Sequence, residues 1–166
     1  MVTEQGTDGG LRRALADLLP ELRAFARFLS GSRVEADDLV QEALARTLTS
    51  LDGRSEGVQL RPWCLAVIRN IFHEQLRSRR REATRLHQDP DPAVSPANQE
   101  MPGAMRDLAR ALRELPPLLR EAVILVGAQG LSYEEAAAVC SVPVGTMKAR
   151  VSRARRQLAT ALDRVT

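Results

Sequence analysis

Between Leu86 and Met105 the chain carries four of its nine prolines and neither Lys nor Arg. Proline fixes φ and removes a backbone donor, so "LHQDPDPAVSPANQEMPGAM" suits neither a helix interior nor a central strand. An extended or disordered linker over 86–105 is predicted. It divides 166 residues into two small domains, 10–85 and 106–166, each able to bury a modest core.

On both sides of the linker the apolar residues recur at helical spacing, and no segment alternates like a strand. The predicted fold class is all-α, two small helical domains. In the first, Leu11, Leu15, Leu18, Leu22, Phe25 and Leu29 share one helix face, with Pro20 expected to bend or divide the helix. Gly31-Ser32 breaks it. A second helix over 35–51 carries Ala36, Leu39, Val40, Ala43, Leu44, Leu48 and Leu51. Asp52–Val58 is a loop. Pro62 suits the first turn of a third helix, which runs through Trp63, Ile68, Ile71, Phe72 and Leu76 into Arg77, Arg79, Arg80 and Arg81.

Charge is distributed unevenly. The net is +2 over 1–85, −3 over 86–105 and +4 over 106–166. Positive ends around an acidic middle point to a polyanionic partner met by two separate pieces. Of the 24 basic residues only Lys148 is Lys; arginine suits phosphate and guanine, although a GC-rich genome gives the same bias. Cys64 and Cys140 stand apart without metal-ligand spacing, as expected of reduced thiols. The longest apolar run, Trp63–Ile68, is far too short to span a bilayer, and the polar start MVTEQGTDGG is unlike a signal peptide. A cytoplasmic protein is expected, with no metal or cofactor implied.

In the second domain Leu108, Leu112 and Leu115 define an amphipathic helix that Pro116-Pro117 interrupts, with Leu119, Val123 and Val126 beyond it and Gly130 as its end. Ser132-Tyr-Glu-Glu135 has the S-x-x-E pattern of a capping box, with Leu131 as staple residue. A short helix over Tyr133–Cys140, a turn at Ser141-Val142 and a longer helix from Pro143 to about Leu162 form a helix-turn-helix pattern. Ala137 is small where the helices approach, Val142 and Met147 are apolar at the corner, and Ser141 occupies a place suited to φ > 0.

The second of these helices opens with "GTMKARVSRARR", five cations in twelve residues and no carboxylate. Thr146, Arg150 and Arg153 lie on one face, flanked by Lys148, Ala149, Ser152 and Arg156, while Met147, Val151 and Leu158 are expected to point inward. Arg and Lys on such a helix can read guanine in the major groove.

Three stretches, "ADDLVQEALARTLTSL" (36–51), "RPWCLAVIRNIFHEQLRSRRR" (61–81) and "LREAVILVGAQGLSYEEAAAVCSVPVGTMKARVSRARRQL" (119–158), together resemble the extracytoplasmic-function group of bacterial sigma factors. The closing motif is similar to the subgroup that runs the general stress response in alphaproteobacteria. The resemblance implies promoter-specific transcription initiation by a protein that binds core RNA polymerase at its β′ clamp helices and β flap. It implies a polymerase-docking role for Asp37, Asp38, Leu39, Gln41 and Glu42. Leu39 also belongs to the apolar stripe, and the acidic residues also suit a helix N-terminus. The resemblance places −10 recognition on the 53–60 loop, with Ser55, Glu56 and Val58, and on Arg69, Asn70, His73 and Arg77. For −35 recognition it implies Lys148, Ala149, Ser152 and Arg153, with Arg150, Arg155 and Arg156 nearer phosphate. An anti-sigma partner is implied as well. Aromatic residues are scarce, so Trp63 is the candidate for stacking on an unpaired base, with a core position as its competing assignment.

Other function classes leave less of the sequence explained. His73-Glu74 has Arg77 where a metalloprotease motif needs a second His, and neither a P-loop nor a dinucleotide fingerprint occurs, so an enzyme is not expected. A one-component helix-turn-helix regulator would not need residues 36–81. A sigma mimic that only sequesters an anti-sigma factor would not need the cations of 77–81 and 146–156.

Overall fold

The structure, a computed structural model, describes residues 4–54, 56–88 and 102–165. These are helices and turns, with no strand among them, and they form two compact units.

The first unit contains α1 (Glu4–Ser30), α2 (Arg33–Ser50) and α3 (Leu60–Arg85), each packed on the other two. Leu22, Phe25, Leu39, Leu65, Ile68 and Ile71 are less than 2% exposed and form the centre. Burying one such side chain contributes about 1.5–3 kcal/mol. Of the two effects expected of Pro20, division does not occur: α1 runs through it unbroken. Proline deprives the carbonyl four residues back of its donor, but both Pro20 and Ala16 are exposed, where water can serve that carbonyl. Ser32 caps α2, its hydroxyl accepting the Glu35 N–H. After Ile71 no side chain of α3 is buried.

The second unit contains α4 (Gly103–Glu114), α5 (Pro117–Val123) running into a π-helical turn (Ile124–Ala128), α6 (Tyr133–Cys140) and α7 (Val144–Asp163). The linker expected over 86–105 is shorter at its C-terminal end. Pro102, with ψ 149°, starts a helix at Gly103; residues 89–101 lie outside the described residues. In the π turn the Gln129 N–H donates to Ile124 O at 2.8 Å, five residues back. Nothing in the sequence pattern signalled that turn. α4, α5 and α6 all pack on α7. Between α4 and α5 the Arg120 guanidinium donates to the carbonyls of Leu112 (2.8 Å), Arg113 (2.5 Å) and Leu115 (3.0 Å). They lie at the end of α4, where Pro116 keeps the chain from satisfying the last carbonyls by continuing the helix; Leu112 O also accepts the Leu115 N–H at 3.3 Å. Partial burial, then the Arg113 charge, lower the Arg120 pKa, but a guanidinium keeps its proton regardless. Deeper in the unit the buried Glu121 carboxylate accepts from Cys140 Sγ at 3.8 Å.

Candidate nucleic-acid interface

The helix-turn-helix is set by local chemistry. The Ser132 hydroxyl accepts the Glu135 N–H at 3.0 Å, and the Glu135 carboxylate accepts the Ser132 N–H at 2.8 Å. This reciprocal cap fixes the start of α6. At its end Ser141 takes the left-handed conformation, φ 54° and ψ 45°. Ser141 N–H donates to Ala138 O at 3.2 Å and Val142 N–H to Ala137 O at 3.0 Å. That pair of bonds is a Schellman closure with Ser where Gly is commoner. Pro143 then launches α7.

Met147, Val151 and Ala154 anchor α7 against its unit and are at most 1% exposed. Leu158, expected inward with Met147 and Val151, is only half-buried, and Ala154 takes the inward place. With the stripe at 147, 151 and 154, helical geometry turns Ala149, Ser152, Arg153 and Arg156 outward, with Lys148 and Arg155 on one flank. All six are exposed, whereas Thr146 and Arg150 are half-buried at the other flank. The face predicted to centre on Thr146, Arg150 and Arg153 is therefore rotated toward Ala149 and Ser152.

Four cations crowd this surface, with Arg150 at its edge, and none of the five has a carboxylate partner among the described residues. Arg153 Nε reaches only the Ala149 carbonyl, at 3.4 Å, and Lys148 Nζ lies 5.8 Å from the Tyr133 ring centroid. By contrast, three cations in the first unit are tied to carboxylates of neighbouring helices. Arg46 binds Glu42 (2.6 Å) on its own helix and Glu74 (3.3 Å) on α3, Arg79 binds Glu35 (3.2 Å), and Arg61 pairs with Glu21. Hydrogen bonding to Glu42 is the main cause of a raised Arg46 pKa.

The other predicted sites lie on the first unit. Asp37, Asp38 and Gln41 are exposed on the N-terminal half of α2, and Asp37 lies 4.0 Å from Arg23. Glu42 is half-buried and engaged by Arg46. Leu39 is 1% exposed; it supports this turn from inside and presents no docking surface. In the turn between α2 and α3, Gly53 (φ 66°) and Gly57 (φ 77°) adopt backbone that side-chain-bearing residues avoid. Glu56 is exposed and Val58 half-buried, while Ser55 lies outside the described residues. Asn70 and Arg77 are exposed along α3, and Arg69 and His73 half-buried; the His73 ring meets Phe72 edge-on at 5.8 Å. Trp63 opens α3 with 38% of its surface exposed, against the core assignment.

Comparison with known proteins agrees with this division. Residues 15–82 match the family model for sigma-70 region 2, and residues 105–158 that for sigma-70 region 4. The ECF RNA polymerase sigma factor EcfG of Rhodopseudomonas palustris (strain TIE-1) is 43% identical over 157 residues, spanning 92% of this chain and 84% of that protein. Among solved structures, the sigma factor RpoE of Bartonella quintana, in complex with the anti-sigma factor NepR, is 40% identical. It superposes with a TM-score of 0.80 over 93% of this chain and 97% of that one. The anti-anti-sigma factor PhyR of the same organism shares the fold alone, at 17% identity and a TM-score of 0.59, over 90% of this chain and 49% of that one.

Proposed function

The chain belongs to the extracytoplasmic-function sigma factors of RNA polymerase, and from that premise we propose how its two units share the work of starting transcription. The second unit reads the −35 element with α7. Lys148 and Arg153 contact base edges, the small Ala149 and Ser152 allow close approach, and Arg150, Arg155 and Arg156 hold phosphate. The first unit docks on the β′ clamp helices through Asp37, Asp38 and Gln41. It takes unpaired bases of the −10 element in the 53–60 loop, with Trp63 as a stacking surface and Asn70, His73 and Arg77 along the strand. The second unit meets the β flap, so that core polymerase sets the span between the two readers.

The observation that carries this proposal is the set of four exposed cations on α7, Lys148, Arg153, Arg155 and Arg156, none with a carboxylate partner among the described residues. A structural role would have paired them, as it has paired Arg46 and Arg79. The protein acts in the cytoplasm, in the general stress response, and is not an enzyme. The Bartonella complex supports an anti-sigma protein as its inhibitory partner.

Co-elution with sigma-free core polymerase, followed by footprinting on promoter fragments, tests the proposal. The pair, and neither component alone, should protect two separated elements. Asp37→Lys with Asp38→Lys should abolish co-elution while leaving helix content unchanged. Protection of a palindrome without polymerase would instead favour a one-component regulator. Tight anti-sigma binding with no footprint would favour a mimic.

A further inference from the structure

The chain contains one tyrosine and one lysine, and the structure brings them together. Tyr133 is the first residue of α6 and half-buried; Lys148 is exposed on α7. The Lys148 ammonium lies over the Tyr133 ring, 5.8 Å from its centroid, within the range of a cation–π contact. No carboxylate competes for it. The Glu135 carboxylate is committed to the Ser132 N–H, and Glu134, beside Tyr133, forms no ion pair with Lys148 among the described residues. A ring face holds the ammonium without neutralising it, so its charge stays available to a partner. The reciprocal cap of Ser132 and Glu135 fixes the backbone on either side of Tyr133, so the ring is carried on a rigid turn.

That lysine is the exception in a chain that uses arginine at every other basic position. A guanidinium is a planar fork whose donors are already arranged for guanine or phosphate. An ammonium on a flexible stem is not, and it gives up rotamer freedom to settle on one acceptor. Restraint before binding lowers that loss. The cations of α7 divide in the same way. Lys148 is held by the ring and Arg153 by the Ala149 carbonyl at 3.4 Å, and these are the two proposed above to read bases. The guanidinium groups of Arg155 and Arg156, proposed to hold phosphate, have no comparable restraint among the described residues.

We propose that Tyr133 is a positioning residue for −35 recognition: its ring face aims the Lys148 ammonium at the acceptor edge of one base pair, and so sets how strictly that pair is read. This rests on the −35 role of Lys148. Lysine only donates, so the base it meets presents acceptors in the major groove, as guanine does at O6 and N7. The Tyr133 hydroxyl has no part in it, because the attraction comes from the ring quadrupole.

Two measurements on the full chain test this. Isotope labelling of lysine gives NMR signals from Lys148 alone. In the free protein the ring should shift its Cε protons upfield; Tyr133→Phe should keep that shift and Tyr133→Leu should remove it. Wild-type signals at the position of an unstructured lysine overturn the proposal. The second measurement uses the chain assembled with core polymerase on a promoter fragment from one of its own start sites, with each −35 base pair replaced in turn. Lys148→Met should identify the pair that Lys148 reads by abolishing preference there. At that pair Tyr133→Leu should lower discrimination by about two- to fivefold, the size of an exposed cation–π contact, and leave the other pairs as they are. Tyr133→Phe should match the wild type, and Tyr133→Leu should add nothing in the Lys148→Met background. Unchanged discrimination in Tyr133→Leu overturns the proposal. So does a Phe variant that fails as Leu does, which would give the work to the hydroxyl, or an equal loss on every sequence, which would make Tyr133 a structural or phosphate-contacting residue. Lys148→Met that leaves every −35 preference intact contradicts the −35 role of Lys148 itself, and that result is obtained without any Tyr133 variant.

Discussion

Arg153 and Arg155 are two residues apart on α7 and both exposed, yet their places on the helix suit them to different work. Arg153 lies toward the centre of the outward face and Arg155 on its flank. Arg153→Ala should relax base preference at one −35 position and cost about 1–3 kcal/mol, whereas Arg155→Ala should weaken all sequences evenly and lower the salt slope by about one. Binding titrations against a −35 library at several salt concentrations separate the two. Cys64 supplies a pH test. Burial pushes its thiol pKa up, an effect the Thr47 hydroxyl partly opposes. A raised pKa favours the folded state while the unfolded thiol is also protonated, and that advantage is lost as the unfolded thiol ionises. Stability should therefore fall as pH rises above the ordinary thiol range, and Cys64→Ala should flatten that decline in denaturant titrations. Alkylation of Cys64, 1% exposed, should require unfolding.

The elements differ in how far the sequence announces them. The capping box at Ser132 and Glu135 and the left-handed corner at Ser141 depend on neighbouring residues, so both are legible. Pro20 misleads because its cost depends on exposure, which periodicity does not report. On α7, alanines read ambiguously as core or surface, so the sequence does not mark Ala154 as inward and the expected reading face lies a fraction of a turn from the exposed one. Leu39 shows the same limit from the other side: a motif says that a helix matters without saying which of its residues face out. Arg120 was invisible, since its acceptors are backbone carbonyls five to eight residues back. Replacing it with Met should leave the part-buried Leu115 carbonyl without its donor and cost about 1–3 kcal/mol. Chemical denaturation should show that loss in the second unit, which carries α7, and not in the first.

At the scale of the whole molecule, two small helical units each carry surfaces that their own cores do not need. The first exposes Asp37 and Asp38 on one helix and arginines on another; the second exposes the cations of α7. Separately, each unit offers a short set of contacts to DNA. Held at a fixed span by polymerase they read two elements together, and the second contact becomes effectively intramolecular. The most direct measurement is transcription in vitro with the purified chain and sigma-free core polymerase on pooled genomic fragments, with the 5′ ends of the transcripts sequenced. The account predicts a small set of start sites that appear only when the chain is present and share two motifs at one spacing. A folded protein that yields no such transcripts, or start sites sharing no second motif, would contradict it.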